Sequence, residues 1–339
     1  MIHYIKQGQA QYKANLHCHS VISDGKLTPE ELKDAYRRHG YSILAITDHE
    51  VPYDHSAMTD KDFLMLTGYE AYIRLSPTGK ASAYEPELHC NLIAKDPHNV
   101  KYVCFNENYC KYVKDPAVRE KFEKVGSQRT REYSVAYINE FVQTAIDNGY
   151  LCTYNHPTWS LELHEQIEQY RGFFSMEMSN YSSFVINRME YNGALYDRLL
   201  RAGHRLFCHS ADDNHNKGGV DTKDSDSFGG FAYILAPELT YESVIQALEK
   251  GDFYSSMGPQ ILSLSFDGNK VHIETSDALQ ITMFCGGKNT KVVRGDFENS
   301  VHEADFEIPA EAPYVRLNVC DAHGRYADTR GFFRDELGI

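Results

Sequence analysis

Residues 14–49 read ANLHCHSVISDGKLTPEELKDAYRRHGYSILAITDH, a strand, a helix and a second strand with polar side chains gathered after each strand. Ala14-Asn15-Leu16 is a short apolar run. Thr28 can cap a helix, Pro29 suits its first turn, and Glu31 stands where it can complete a capping box. The helix then shows Leu32, Ala35 and Tyr36 on one face and stops at Gly40. Ser42-Ile43-Leu44-Ala45-Ile46-Thr47 follows as a buried-strand run. A strand, helix and strand in this order predict parallel pairing through a crossover.

Outward from this unit the alternation continues to about residue 257. Strands are expected near 63–67, 91–94, 151–154, 173–178, 205–208 and 231–235, with helices near 129–148, 185–202 and 241–250. Repeated β-α units favour a closed barrel over an open sheet, because closure removes unpaired edges. After Gly258-Pro259 the texture changes to period-two alternation. Ile261 to Phe266, the turn Asp267-Gly268-Asn269 and Lys270 to Ile273 form a strong hairpin signal. Further strands are expected at 280–285, 302–308 and 314–319. The expected organisation is therefore an α/β barrel over residues 1–258 and a small antiparallel β domain over 259–339. The loop Ser76-Pro77-Thr78-Gly79 and the polar stretch 217–227 interrupt the pattern.

Composition narrows the function. Lys and Arg number 34 against 48 Asp and Glu, a formal charge of −14, which disfavours a nucleic-acid polymer or an anionic membrane as partner. A small anionic substrate remains compatible, held by a local site. The eight cysteines form no Cys-x-x-Cys pair and lie in apolar runs, as expected of reduced thiols in the cytoplasm. No apolar run reaches the roughly 18 residues of a membrane span, and the opening residues lack a signal-peptide core. The sequence leaves the oligomeric state open.

Histidine is over-used, with 16 copies. Taking the strand ends in order gives His17 and His19, Asp24, Asp48 and His49, Glu70, His89, Asn155 and His156, then Asp213 and His215. In a parallel barrel the carboxyl ends of the strands meet on one face, so these residues are expected to converge. His17 and His19 point the same way from an extended strand, as do Asp213 and His215. A lone histidine or aspartate at such a place is usually a hydrogen-bonded or capping residue; the repetition at successive strand ends is what argues for a metal centre. Mixed imidazole and carboxylate donors suit Zn, Mn or Fe rather than Ca. The number of candidate ligands calls for two or three divalent ions sharing a carboxylate.

The segments Asn15-Leu16-His17-Cys18-His19-Ser20, Ser23-Asp24-Gly25 and Leu44-Ala45-Ile46-Thr47-Asp48-His49 strongly resemble the opening motifs of the polymerase and histidinol phosphatase (PHP) family of metal-dependent phosphoesterases. Gly68-Tyr69-Glu70 is similar to its third motif, Asn155-His156-Pro157 to its later His-Pro element, and Asp213-Asn214-His215 to its closing one. Gly251 to Pro259, followed by strands, resembles the branch that includes carbamate-ester hydrolases. The resemblance implies a distorted (β/α)₇ barrel, a TIM-like architecture, with a trinuclear centre. Carried over, His17, His19, Glu70 and Asp213 would hold one ion and Asp24, His49 and His215 a second. His89 and His156, with Glu70 bridging, would hold a third. Asp24 stands where relatives often have histidine, which gives the second ion a harder ligand.

The expected reaction is hydrolysis of a small phosphate ester by water activated between the ions, since such a site lowers the pKa of water from about 15.7 toward 7. Glu70, Asp213 and His215 are the candidate catalytic groups. Asp48 is a candidate for orienting His49, His209 for reaching the substrate, and Arg74 or Lys217 for clamping a phosphate. The same metals could instead attack a carboxyl, amide or carbamate ester, and a non-enzymatic metal-binding scaffold is the third reading.

Overall fold

The computed structural model describes residues 1–76, 78–189, 191–296 and 299–339; Pro77 of the Ser76–Gly79 loop lies outside them. The opening unit forms as its sequence dictates. Tyr12–Asn15 and Ile43–Ala45 pair in parallel, joined by helix Pro29–Arg38. Its capping box is complete, with the Glu31 amide donating to Thr28 Oγ1 at 3.2 Å and the Thr28 amide donating to Glu31 Oε2 at 2.8 Å. Leu32, Ala35 and Tyr36 are the helix residues that bury, and Tyr36 packs with Leu44 and Ile46.

The protein is mixed α/β, and apart from the short pair Tyr102–Val103 with Lys124–Val125 the parallel pairing falls into two arcs. Tyr12–Asn15, Ile43–Ala45 and Leu64–Leu66 form one; Tyr150–Tyr154, Ser175–Asn180 and Phe207–Ala211 form the other. Among the described residues the arcs are not joined into a closed, continuously bonded barrel, contrary to the sequence expectation. The reason is local. Leu64–Leu66 runs through Thr67 into strand Gly68–Arg74 with no helix between, and Gly68–Arg74 makes a long antiparallel pair with Glu87–Ala94. Glu87–Ala94 is in turn antiparallel to Tyr150–Tyr154, while Phe231–Ile234 is antiparallel to Tyr12–Asn15. Hairpin pairing thus replaces the β-α repeat where the two arcs meet. At the rim the arcs touch through single parallel bridges, Cys18 to Asn214 and His49 to Glu70.

Two more departures have evident causes. The helix expected at 185–202 is two helices, Tyr181–Asn187 and Gly193–Arg201; the first ends where Arg188 takes a left-handed φ of 60°. The β strands after residue 259 divide between two sheets: Ile261–Asp267, Lys270–Ala278 and Val301–Glu307 form a separate four-stranded sheet with Ile2–Ile5, and the others join a larger one. Tyr326–Asp328 pairs with Phe253–Ser256, so Gln280–Phe284 and Tyr314–Cys320 extend a ten-stranded sheet that reaches Leu64–Leu66. The N-terminal strand Ile2–Ile5 pairs with Ile261–Asp267. Arg316, nearly fully buried, ties this region to helix Gly193–Arg201 by bonding Asp197 at 2.6 Å and Asp328 at 2.8 Å. No helix among the described residues is long and apolar enough to cross a membrane.

One buried ion pair bears directly on the rim. Arg131 donates to Glu50 Oε2 at 3.0 Å and to the Tyr72 carbonyl at 2.7 Å, and Tyr102 Oη donates to Glu50 Oε2 at 2.6 Å. Glu50 follows His49 and has a φ of 55°, so this cluster holds the chain in a conformation unusual for a non-glycine residue. Removing one member of a buried pair strands the other charge, at a cost of about 3–5 kcal/mol. Arg131→Met is therefore expected to destabilise the protein by about that amount, read as a lowered urea midpoint with an unchanged slope.

Candidate metal centre

The carboxyl ends of both arcs open onto one cavity of about 280 Å³. His17 and His19 leave Tyr12–Asn15 on alternate positions and so face the same way. Backbone bonds lock this segment to the closing one: the Asp213 amide donates to the His17 carbonyl at 2.9 Å and the His19 amide to the Asn214 carbonyl at 3.1 Å. Gly25 sits against the same turn, where a Cβ would lie 2.2 Å from the His19 carbonyl oxygen; no other residue fits beside Asp24.

All nine side chains singled out from sequence meet here: His17, His19, Asp24, His49, Glu70, His89, His156, Asp213 and His215. Glu70 is central and fully buried. Its carboxylate lies 3.2 Å from His17 Nε2, 2.8 Å from His49 Nδ1, 3.1 Å from His89 Nδ1 and 3.3 Å from His156 Nε2. Asp213 Oδ1 lies 2.9 Å from His19 Nε2 and 3.2 Å from His17 Nε2. Asp24 Oδ1 is 3.4 Å from His215 Nε2 and 3.8 Å from His49 Nε2.

The donors fall into four overlapping sets, each spanning no more than 4.8 Å. They are His19, Asp24, His49 and His215; His17, His19 and Asp213; His17, Glu70 and His156; and His49, Glu70 and His89. Compared with the division implied by the family resemblance, His49 reaches Glu70 as well as Asp24, and His156 groups with His17 rather than with His89. His156 and Asp213 are held at φ of 26° and 53°, strain of the kind that clusters at functional sites.

The electrostatics fit cations. Burial alone would depress the His17 imidazole, but the Asp213, Glu70 and Glu177 carboxylates outweigh it and hold its pKa well above the ordinary value. For His89, burial is likewise overcome by Glu70 and Glu87, and its pKa rises to about 10. His19 goes the other way, to about 4, through burial and the neighbouring His49 and His215. Burial would raise Glu70, yet His17, His89 and His49 hold it well below the usual carboxylate range. Four buried donor atoms, His19 Nδ1, His49 Nδ1, His89 Nε2 and Glu70 Oε2, have no hydrogen-bond partner. Imidazole and carboxylate atoms that crowd one another without hydrogen-bond geometry are what divalent Zn, Mn or Fe would satisfy.

Several neighbours differ from the sequence reading. Asp48 does not orient His49. It accepts from the Ser20 and Ser23 amides at 2.8 and 3.1 Å and from both serine hydroxyls, which fixes the turn leading to Asp24. His209 is buried against Ser175 Oγ at 2.8 Å and lines no part of the cavity. Arg74 lines the cavity but is paired with Glu87; Lys217 lines it as an exposed side chain.

The sequence reading missed Glu177, whose Oε1 is 2.7 Å from His17 Nδ1 and whose Oε2 accepts from the His156 amide at 2.7 Å. It thereby orients one imidazole and one strained backbone, as carboxylates behind metal-binding histidines do. A single acid inside the buried run 173–178 was the available signal. Asn180, three residues on, donates to Glu177 Oε2 at 2.8 Å and to Asp213 Oδ2 at 3.1 Å.

Fold and site together define an α/β protein with a cluster of histidine and carboxylate side chains that could hold divalent cations, most of them at the carboxyl ends of its parallel strands. The model of the PHP domain family matches residues 15–145. No curated protein matches the chain significantly. Among solved structures, a two-domain protein containing a predicted PHP-like metal-dependent phosphoesterase from Bacteroides vulgatus ATCC 8482 is 15% identical, with 97% of this chain and 89% of that one covered and a TM-score of 0.47. A putative metal-dependent phosphoesterase from Bifidobacterium adolescentis ATCC 15703 is 19% identical over 64% of this chain and 92% of that one, with a TM-score of 0.39. An amidohydrolase from Chromobacterium violaceum, with bound sulfate and no metal, is 19% identical over 63% and 90%, with a TM-score of 0.42. These likenesses are too distant to carry chemistry to this chain.

His89, its pKa raised to about 10 by Glu70 and Glu87, holds a proton at neutral pH that a cation must displace, the carboxylates around His17 shift that imidazole in the same direction, and Glu70, Asp24 and Asp213 are held below the usual carboxylate range. Metal loading at neutral pH is therefore expected to release protons. Calorimetric titration of the metal-free protein with Zn or Mn in buffers of different ionisation enthalpy should give a heat that changes with the buffer.

Proposed function

We propose that the protein is a metal-dependent hydrolase that cleaves a small phosphate ester at a centre of two or three divalent ions. The observation that supports this most directly is the meeting of nine donor side chains in overlapping sets at one cavity. Divalent cations bound there would supply Lewis acidity and activate water for in-line attack. His17, His19 and Asp213 would hold one, Asp24, His49 and His215 another, and Glu70 with His89 and His156 a third. We assign Glu70, Asp213 and His215 as the catalytic groups, since each both lines the cavity and belongs to a donor set.

Charge favours phosphate over a carboxyl, amide or carbamate ester. The donor carboxylates Asp24, Glu70 and Asp213 neutralise only part of the charge of the cations, so the loaded floor stays positive and attracts a dianion more than a neutral carbonyl. Lys217 adds a cation at the rim. In the reaction the phosphorus–oxygen bond to the alcohol breaks, water oxygen forms the new bond to phosphorus, and a proton passes to the departing alcohol oxygen. The products are the free alcohol and inorganic phosphate.

We take residues 1–258 as the hydrolase domain and residues 259–339 as a β domain added to it. None of the eight cysteines forms a disulfide, and seven are buried, which supports a reducing compartment such as the cytoplasm.

Metal-loaded protein is expected to release nitrophenol from nitrophenyl phosphate and not from nitrophenyl acetate; cleavage of the acetate alone would reverse the assignment. His17→Ala and Asp213→Ala should each abolish turnover and lower the metal content measured by elemental analysis while leaving the circular dichroism spectrum intact. Wild-type rates in either variant would place the site elsewhere.

A further inference from the structure

One wall of the cavity is chemically distinct from its floor. Helix Tyr181–Asn187 presents Ser182 and Ser183 to it, residues only 6% and 5% exposed. Neither hydroxyl is among the buried polar atoms left unpaired, and both residues line the cavity, so the hydroxyls are open to whatever occupies it. Their backbones, by contrast, are fixed: the Ser182 amide donates to the Asp212 carbonyl at 2.9 Å and the Ser183 amide to Asn180 Oδ1 at 2.9 Å. Asn180 also bonds Asp213, so the two hydroxyls are held in register with the metal-binding floor. Asn187 continues this polar wall at the exposed rim.

Another part of the lining is Trp159, the single tryptophan of the chain. Its ring stands edge-to-face against His156 at 4.9 Å and against His89 at 5.4 Å, so its position is set by two floor residues.

Two hydroxyls in succession, on backbones that are fixed and facing one cavity, offer a ligand a preorganised pair of hydrogen-bonding groups. A serine hydroxyl both donates and accepts. Its natural complement is another alcohol, which does the same. A nucleobase is the competing occupant, since Asn187 offers a fixed donor and acceptor and Ile186 an apolar face; the cavity's small volume and the paired serine hydroxyls favour a compact polyol over a base with its ribose. The flat Trp159 ring suits the apolar C–H face of a ring whose edges carry hydroxyls. A volume of about 280 Å³ falls at the lower limit of small-molecule sites, roughly 300–1,000 Å³, which selects a compact leaving group. We propose that the substrate is the phosphate monoester of a small polyhydroxylated alcohol, a sugar or cyclitol phosphate, seated with its hydroxyls on Ser182, Ser183 and Asn187 and its ring on Trp159. This rests on the phosphoesterase reading of the same cavity.

The test compares phosphate release by metal-loaded protein from hexose phosphates, inositol phosphate, nucleoside monophosphates and nitrophenyl phosphate. A site built to bond substrate hydroxyls discriminates strongly against analogues lacking them. At least one sugar or cyclitol phosphate should exceed both nucleotides and nitrophenyl phosphate in kcat/KM by tenfold or more, on the order expected for one or two hydrogen bonds. In Ser182→Ala/Ser183→Ala this selectivity ratio should fall about tenfold, with metal content unchanged. Asn187→Ala, at an exposed position that the fold does not depend on, should lower the ratio about threefold. A nucleotide preference, no preference, or a ratio unmoved in both variants overturns the inference while leaving the phosphoesterase reading in place. Failure to release phosphate from any ester overturns the phosphoesterase reading itself.

Discussion

Everything at the rim depends on one carboxylate. Glu70 is fully buried and faces four imidazoles within 3.3 Å; Asn155, His89 and His156 bond its Oε1, while its Oε2 has no hydrogen-bond partner. An ionised carboxylate in so dry a place is tolerated only with compensating positive charge. In the metal-free protein the proton on His89, whose pKa is raised to about 10, provides part of it, and divalent cations would provide it more completely. The burial of Glu70 therefore sets both the affinity of the site and the protonation of the residues around it.

The surroundings explain how such a cluster survives folding. Four acids that are not donors hold the segments that carry the donors. Glu177 braces His17 and the His156 backbone, Asp48 the turn before Asp24, and Glu50, with Arg131, the chain after His49. Asp212 takes the amides of Phe228, Gly229 and Gly230 at 2.8 to 2.9 Å, together with the Tyr36 hydroxyl, and so anchors the return of the long loop that begins at His215. Each of these carboxylates is bonded to fixed dipoles or a buried cation, so each adds rigidity without adding a free negative charge to the cavity. The metal-facing carboxylates are the ones left for cations.

The strands after residue 259 take part in the same framework. Gln280–Phe284, Tyr314–Cys320 and Tyr326–Asp328 lie in one sheet with the arc that carries His17 and His49, and Arg316 clamps them to the helix that precedes Phe207–Ala211. Asp328, bonded to Arg316, also meets Tyr191, from the segment between the Ser182–Ser183 helix and Gly193–Arg201. The β region thus buttresses the wall of the cavity from behind, which a free-standing appendage would not do.

Much of the site was legible in the sequence because its donors sit at period-two positions or immediately after apolar runs, patterns that local sterics alone enforce. His17 with His19, and the capped helix between Thr28 and Gly40, needed only neighbours in the chain to be read. Glu177, Ser182 and Ser183 were not legible in this way. A lone acid in a strand and two serines at a helix start have many bland meanings, and only the approach of His17 or of an open cavity distinguishes them. The order of strands was likewise undecided locally, since Gly68–Arg74 has the same apolar texture whether it pairs in parallel or as a hairpin. The sequence by itself determined which residues could bind metal and where most strands and helices lie, because backbone periodicity is a short-range property. Only the tertiary structure decided which partners they meet and that the arcs stay unclosed, because pairing energies come from contacts between segments far apart in the chain.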